Sequence, residues 1–198
     1  ILGQLPDLLT ATEVLSVPTR QIPPSILRPL ILAARDHLRV EVDYVSLNQP
    51  DREGRIIVPH TLVWTGLRWH VRGWCEKNQD YRDFVLSRFR GEPEVLDESD
   101  HTSASDEDWH TLVTIEIAPD PRLTADQQAV VAHDYGMTDG KWQLSVRAKL
   151  LPYLLQLLRL DPTQVMEDAR AQQIVILNQA DIRACLLYTS PSPRDTEV

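Results

Sequence analysis

The sequence predicts a mixed α and β protein: a small antiparallel β-barrel followed by a separate α+β module. Two observations carry this. Between Val40 and Phe89 the hydrophobic period is two, in short β-branched and aromatic runs, whereas beyond Asp108 strands and helices alternate. The composition, 42% hydrophobic and 25% charged over 198 residues, describes a globular chain with room for one large domain or two small ones.

The first element is a helix over Ser25–Leu38. Ile26, Leu30, Ala33, Ala34, His37 and Leu38 recur at helical spacing, Ser25 is a candidate cap, and Pro29 marks where the regular part begins. Strands follow at Val40–Ser46, Arg55–Val63, Arg68–Cys75 and Arg82–Phe89, separated by LNQPDREG, WTGL and EKNQDY. Four or five strands within about 55 residues and almost no helix describe a barrel. Asp97–Asp108 (DESDHTSASDED) is acidic and serine-rich and reads as a linker or exposed loop.

In the second module TLVTIEIA is a strand, LTADQQAVVAHD a helix capped by Thr124, KWQLSVRAKL a strand, PYLLQLLRLD a helix with Pro152 in its first turn, and QIVILN a strand. The Pro152–Leu160 helix is apolar almost all round, which implies burial against the sheet or a second subunit. The expected organisation is a connecting segment and helix over 1–38, the barrel over 39–96, an acidic linker over 97–107 and the α+β module over 108–184. Residues 185–198, which begin CLLYTSPSPRD, resemble a translated sequencing-library adapter and are set apart from the fold.

The ends and the composition bound the setting. The chain opens on Ile with no basic segment or cleavage site, so it does not read as a signal peptide, and the true start is expected upstream. No apolar run approaches the roughly 18 residues of a membrane span. Without the last 14 residues the net charge changes from −9 to −8 and Cys75 is the one remaining cysteine, which points to a reducing, cytoplasmic setting.

Charge is uneven along the chain. From Asp51 to Arg90 eight basic residues oppose five acidic ones, and from Gly91 to Gly140 thirteen acidic residues face Arg122 alone. An arginine-rich patch inside an acidic chain keeps a phosphate or nucleic-acid partner open, because partners respond to the local field. Strand alternation puts His70, Arg72 and Trp74 on one face and Trp69, Val71 and Cys75 on the other. His70 and Arg72 then line one groove beside an aromatic. Arg82 and Arg88 share parity with Phe84 and Leu86, which places the two arginines at opposite ends of their strand.

The series Tyr44-Val45-Ser46, Arg55-Ile56-Ile57-Val58-Pro59-His60, Arg68-Trp69-His70-Val71-Arg72 and Arg82-Asp83-Phe84-Val85-Leu86-Ser87-Arg88 closely resembles the WYL domain of bacterial transcription regulators. The strings RWHVRGWCE and YRDFVLSRF look most like the repressors of bacteriophage-defence operons of the BREX and CBASS kinds. The triplet that names the family is Trp69-His70-Val71 here, so an imidazole stands where the family carries a tyrosine.

The resemblance implies an Sm-like barrel that senses a ligand, in a homodimeric regulator whose winged helix-turn-helix precedes the barrel. The residues before Ser25 are few and rich in proline (Pro6, Pro18, Pro23, Pro24), so operator DNA would be reached only through an upstream winged helix-turn-helix. Mapped residue by residue, the family's groove falls on Tyr44, Ser46, Arg55, His60, Arg72, Arg82 and Arg88, with His70 beside them. A nucleotide or single-stranded nucleic acid is the expected effector, since arginine forks bind phosphate oxygens bidentately. No cofactor, metal or membrane partner is implied.

Each residue has an alternative. Arg55, Arg72 and Arg82 also fit solvated strand positions paired with Asp51, Glu76 or Asp83. His60 fits a half-buried histidine bonded to backbone, Trp64, Trp69 and Trp74 fit core or rim packing, and Cys75 fits a small core residue. Gly136–Lys141 imitates a phosphate-binding loop, but it is one residue short and Trp142 stands where Ser or Thr must coordinate magnesium. The chain does not read as an enzyme; the nearest case is a phosphodiesterase using His60, His70 and Asp83. A switchless accessory module of a helicase or nuclease, and a barrel that serves dimerisation alone, are the other readings.

Overall fold

The computed structural model describes residues 20–47, 51 and 53–189. Helix α1 (Pro24–Asp36) starts before the expected cap: Pro23 takes the N-cap position without a side-chain bond, and Pro24 supplies the fixed φ that suits a first turn. Pro29 lies inside the helix, where its missing N–H leaves the Ser25 carbonyl without the usual partner. Ile26, Leu30 and Ala33 form the buried stripe. His37 ends the helix in the left-handed region (φ 55°) and does not continue it.

Five strands follow: β1 (Leu38–Tyr44), β2 (Glu53–Trp64), β3 (Trp69–Cys75), β4 (Asp80–Val85) and β5 (Phe89–Glu98). They form one antiparallel sheet in the order β4-β3-β2-β1-β5. Pairing does not close this sheet into the expected barrel, because β4 and β5 stand at its two edges and a 3₁₀ turn, Leu86–Arg88, separates them. The sheet nevertheless curls. The Val85 amide donates to the Tyr44 hydroxyl at 3.1 Å, and the Tyr44 ring meets Phe84 and Phe89 edge-on at 5.2 and 5.3 Å. β1 therefore touches the end of β4 although two strands lie between them.

The run expected as one strand, Arg82–Phe89, is broken for a packing reason. Phe84, Leu86 and Phe89 all enter the core, a spacing that alternation cannot provide and the turn does. Arg82 thus belongs to β4 and Arg88 to the turn. The core under the sheet joins Ile26, Leu30 and Ala33 of α1 to Val40, Val42, Ile57, Val71 and Cys75.

The acidic linker expected over 97–107 is structured. Asp97 and Glu98 end β5, Thr102 caps a 3₁₀ turn at Ser103–Ser105, and Asp106 caps the short helix α2 (Glu107–His110). Next come β6 (Leu112–Pro119), α3 (Ala125–Asp134), β7 (Trp142–Arg147), α4 (Leu151–Leu158), α5 (Ala169–Gln172), β8 (Ile174–Ile176) and α6 (Gln179–Thr189). The second sheet is antiparallel in the order β7-β6-β8. Thr124 caps α3 in a reciprocal box with Gln127.

Helix α4 buries Leu151 and Leu155 in the second core with Ile115, Ile117, Ile174 and Ile182, yet leaves Leu157 48% exposed. Cys185 and Leu186, set apart from the fold on sequence, pack against that core as part of α6, and residues 190–198 lie outside the described residues. Thr138 and Lys141 exchange backbone hydrogen bonds at 3.1 Å around Asp139 and Gly140, both at positive φ, so this segment is a tight hairpin turn. No helix among the described residues is long and apolar enough to cross a membrane.

Candidate functional site

The outer face of β3 carries the candidate site. Register pairs Arg72 with Asp83, Trp74 with Tyr81 and His70 with Val85, so the alternation that sends Val71 and Cys75 inward sends these side chains outward. On the other side β2 contains a bulge. Pro59 faces Gly73 and Thr61 faces Arg72, which leaves His60 as the extra residue and turns its ring toward Arg72's neighbourhood.

This outer face is covered from within the chain. Arg72 donates from Nε and Nη2 to the two oxygens of Asp106 at 2.6 and 2.9 Å, and from Nη1 to Asp83 at 3.3 Å. His60 Nε2 lies 3.1 Å from the same Asp106 carboxylate and its Nδ1 lies 2.8 Å from the Thr61 hydroxyl. Burial alone would raise the Asp106 pKa; hydrogen bonds from His60 and Arg72, then their charges, outweigh it and hold it at about 2.

Around this centre the arm is tied down at several points. Trp74 stacks on His101 at 4.0 Å, and Tyr81 donates to the Thr102 carbonyl and meets the Ser105 hydroxyl. The Trp109 ring lies 5.8 Å from the Arg72 guanidinium and 4.6 Å from that of Arg147 on β7. Lys149 pairs with Asp108 at 2.7 Å, which continues the link into the second module.

A second group surrounds His70. Its ring is 4% exposed, meets Tyr153 of α4 edge-on at 4.9 Å, and has Nδ1 3.3 Å from the Tyr153 hydroxyl. Its Nε2 is buried without a hydrogen-bond partner among the described residues. Burial, then the charges of Arg68, Arg88 and Arg20, push the His70 pKa down to about 4. Burial and the charges of Arg20 and Arg88 likewise lower Arg68. Burial, reinforced by the charge of Asp83, raises the Tyr153 phenol.

The remaining expected residues fall nearby. The Val45 amide donates to the Arg88 carbonyl at 3.2 Å, which brings the half-buried turn residue Arg88 beside Tyr44 and the half-buried Ser46. Arg55 lies 5.5 Å over the Tyr44 ring, donates to Glu53 at 3.2 Å and keeps a buried Nε without a hydrogen-bond partner among the described residues. Arg82 approaches Asp80 at 3.7 Å. Trp64 and Trp69 lie together at the exposed end of β2 and β3, whereas Cys75 is a core residue that donates to Asn78.

The eight expected ligand-binding residues are therefore divided. His60 and Arg72 are engaged by Asp106, His70 and Arg88 lie among the arginine charges, Tyr44 and Ser46 flank the Val45–Arg88 contact with Arg55 over the Tyr44 ring, and Arg82 stands beside Asp80. Arg20, Arg68, Asp106 and Tyr153 were not anticipated on sequence. His60 and His70 also stand apart: His60 precedes Val63, the partner of His70, by three positions, roughly 10 Å along a strand. No group of three metal-ligating side chains occurs among the described residues.

The WYL domain family matches residues 25–91, and the BrxR transcriptional regulator, C-terminal dimerization domain, matches residues 112–182. The arm that carries Asp106 lies between the two. Relatives named DNA-binding transcriptional repressor CapW are 34% identical in Stenotrophomonas maltophilia (87% of this chain, 58% of the relative), Escherichia coli strain KTE188 (84% and 56%) and Pseudomonas aeruginosa (85% and 56%). The chain thus spans under three fifths of the length of these relatives. Proteasome accessory factor B/C of Arthrobacter aurescens overlaps 89% of this chain and 29% of its own at 20% identity, with a TM-score of 0.37, too low to bear on the fold.

Proposed function

The chain carries a WYL domain followed by a BrxR-type C-terminal dimerization domain, and on that premise we propose that it is the effector-sensing and dimerising part of a transcriptional repressor of bacteriophage-defence genes. The effector is a nucleotide or a short single-stranded nucleic acid, and its phosphate binds beside His70 among Arg20, Arg68 and Arg88, on an open, Sm-like sheet. One observation carries this reading: a buried imidazole, kept neutral by burial and then by arginine charges, retains a ring nitrogen without a hydrogen-bond partner among the described residues.

In the tautomer in which Nδ1 accepts from the Tyr153 hydroxyl, 3.3 Å away, the His70 proton sits on Nε2 and offers a donor to an anionic oxygen. The same oxygen relieves the mutual repulsion of the arginines. Tyr44 and Ser46 border the site, while His60 and Arg72 hold the Asp106 arm. Because Tyr153 belongs to the dimerization domain, an effector that draws on His70 has unequal affinity for two arrangements of the domains, which is the requirement for a switch.

The test is a fluorescence-anisotropy titration with short 5′-phosphorylated single-stranded oligonucleotides and a nucleotide panel at two salt concentrations, beside an Arg68→Ala/Arg88→Ala double variant. Three or four phosphate contacts predict a log–log salt slope of about −2 to −3, lost in the variant. A folded wild type that binds no member of either set overturns the reading.

A further inference from the structure

The arm between the two domains presents a flat ring and an anion to the WYL sheet, the two kinds of group that a nucleotide presents. His101 lies parallel on Trp74, with 4.0 Å between ring centroids and 10° between planes, and Asp106 fills the fork of Arg72. Trp74 and Arg72 are alternate residues on one face of β3, roughly 7 Å apart. Ring and carboxylate are therefore neighbours along the strand. The sheet extends this platform with its own aromatics, since Trp74 meets Tyr81 edge-on at 5.2 Å and Tyr81 meets His60 at 5.7 Å. An aromatic row beside an arginine fork is the combination that takes up single-stranded nucleic acid.

The arm is attached in a way that lets it lift. Between Asp100 and His110 its backbone hydrogen bonds are local: the Ser105 amide to the Thr102 carbonyl, Asp106 to Ser103 and Trp109 to Asp106. Among the described residues no backbone bond joins this stretch to a strand of the WYL sheet. Side chains hold it instead, Arg72 and His60 on Asp106, Trp74 on His101, and Tyr81 on Thr102 and Ser105. Its ends are fixed where the Ser99 amide bonds the His37 carbonyl and the Ala148 amide bonds the Thr111 carbonyl, each at 2.9 Å. Departure of the arm breaks no strand pairing.

We propose that the arm is an internal competitor of the effector: His101 and Asp106 occupy Trp74 and Arg72 in the resting protein, and a phosphate-bearing single strand displaces them. The proposal rests on the effector reading for the chemistry of that strand and adds the competitor. His70 and Arg72 are also alternate residues of one face, so a strand bound at His70 meets the arm at its next phosphate. Phosphate and Asp106 cannot share the fork, because both are anions drawn to the same guanidinium. The apparent affinity is then the intrinsic affinity reduced by the fraction of molecules in which the arm is lifted.

The test is fluorescence anisotropy of a 5′-phosphorylated single-stranded oligonucleotide against the full chain as wild type, Asp106→Asn, His101→Ala and Asp100→Asn. Asp106→Asn and Asp100→Asn remove the same charge from the same arm, but Asp100 is exposed, so the second measures the general electrostatic gain. His101→Ala removes the stack of a half-buried ring and leaves the Asp106 pair intact, which keeps the test open if Asp106→Asn unfolds. The dissociation constant is expected to fall about tenfold in Asp106→Asn and about threefold in His101→Ala, each relative to Asp100→Asn. In wild type saturated with the oligonucleotide, the Ser105 and Asp106 amides should exchange their hydrogens faster. A folded arm variant that binds no tighter than Asp100→Asn, or arm amides that stay protected at saturation, overturns the competitor and leaves the effector reading standing. Oligonucleotide bound by the arm variants and not by wild type supports the competitor. Bound by none of the four proteins, it overturns the proposal together with the effector reading.

Discussion

Arg72 on β3 grips Asp106, 34 positions away, through two parallel hydrogen bonds, and the two side chains are 2% and 1% exposed. This is the geometry in which arginine holds a carboxylate best, a planar fork against two oxygens. It pins the connecting arm, and with it Trp109 and the start of the second module, to the outer face of the WYL sheet.

Removing one partner of such a pair leaves the other buried and uncompensated, at a cost of about 3–5 kcal/mol. Asp106→Ala and Arg72→Ala are each expected to lose stability on that scale in urea unfolding, and the double variant to lose much less than their sum. Limited proteolysis should open the arm at residues 97–108 in the single variants first. A loss below about 1 kcal/mol in Asp106→Ala would show that the arm is held by its aromatic contacts instead.

Acid should release the same contact. The Asp106 pKa is held at about 2 against an ordinary value near 3.8, so its contribution is complete above the unfolded value and is lost as the pH falls through 2. The Asp106→Asn variant should therefore show a flatter stability profile than wild type between about pH 4 and pH 2.

His70 titrates with the same sign, in a higher window. Its pKa of about 4 lies below the ordinary 6.5, so the unfolded chain takes up a proton that the folded chain refuses. Stability is full above about pH 6.5 and falls as the pH drops toward 4, by about 3 kcal/mol in all. In His70→Gln that decline should disappear from unfolding curves. A phosphate-bearing effector should shift the wild-type imidazole titration upward, as read by NMR, since an anion beside it favours the charged ring.

Much of the frame was legible in the residues. Alternation alone placed His70, Arg72 and Trp74 on one face of β3, and Ile26, Leu30 and Ala33 at helical spacing marked the buried stripe of α1. The site's closure was not legible, because an acidic, serine-rich run reads as solvated unless its partner is known. The signal lay in complementarity: an arginine-rich sheet followed by a negative segment, in which Asp106 immediately precedes a helical turn with Trp109 on it. Arg68, two positions before His70, lay within reach of the same alternation, whereas the nearness of Tyr153 to His70 is a product of tertiary packing between two domains, which no local period encodes. Parity also misled at Arg88, since a strand and a 3₁₀ turn are continuous in sequence but not in facing.

The bulge that aims His60 depends on Gly73. A Cβ at that position would lie 2.5 Å from the Val58 carbonyl oxygen and 2.7 Å from the Pro59 Cα, both backbone atoms that cannot swing aside. Gly73→Ala must therefore part β2 from β3 at the point where Pro59 faces Gly73, and the extra residue in the bulge moves with it. The expected cost is about 2–4 kcal/mol, in the range of strained or overpacked core positions. The His60–Asp106 contact should weaken along with it, while the Arg72–Asp106 pair, anchored on β3 itself, persists. Urea unfolding combined with NMR of the His60 ring separates the two effects: destabilisation with an unmoved His60 resonance would mean that the bulge is held by Asp106 and not by the close approach at Gly73.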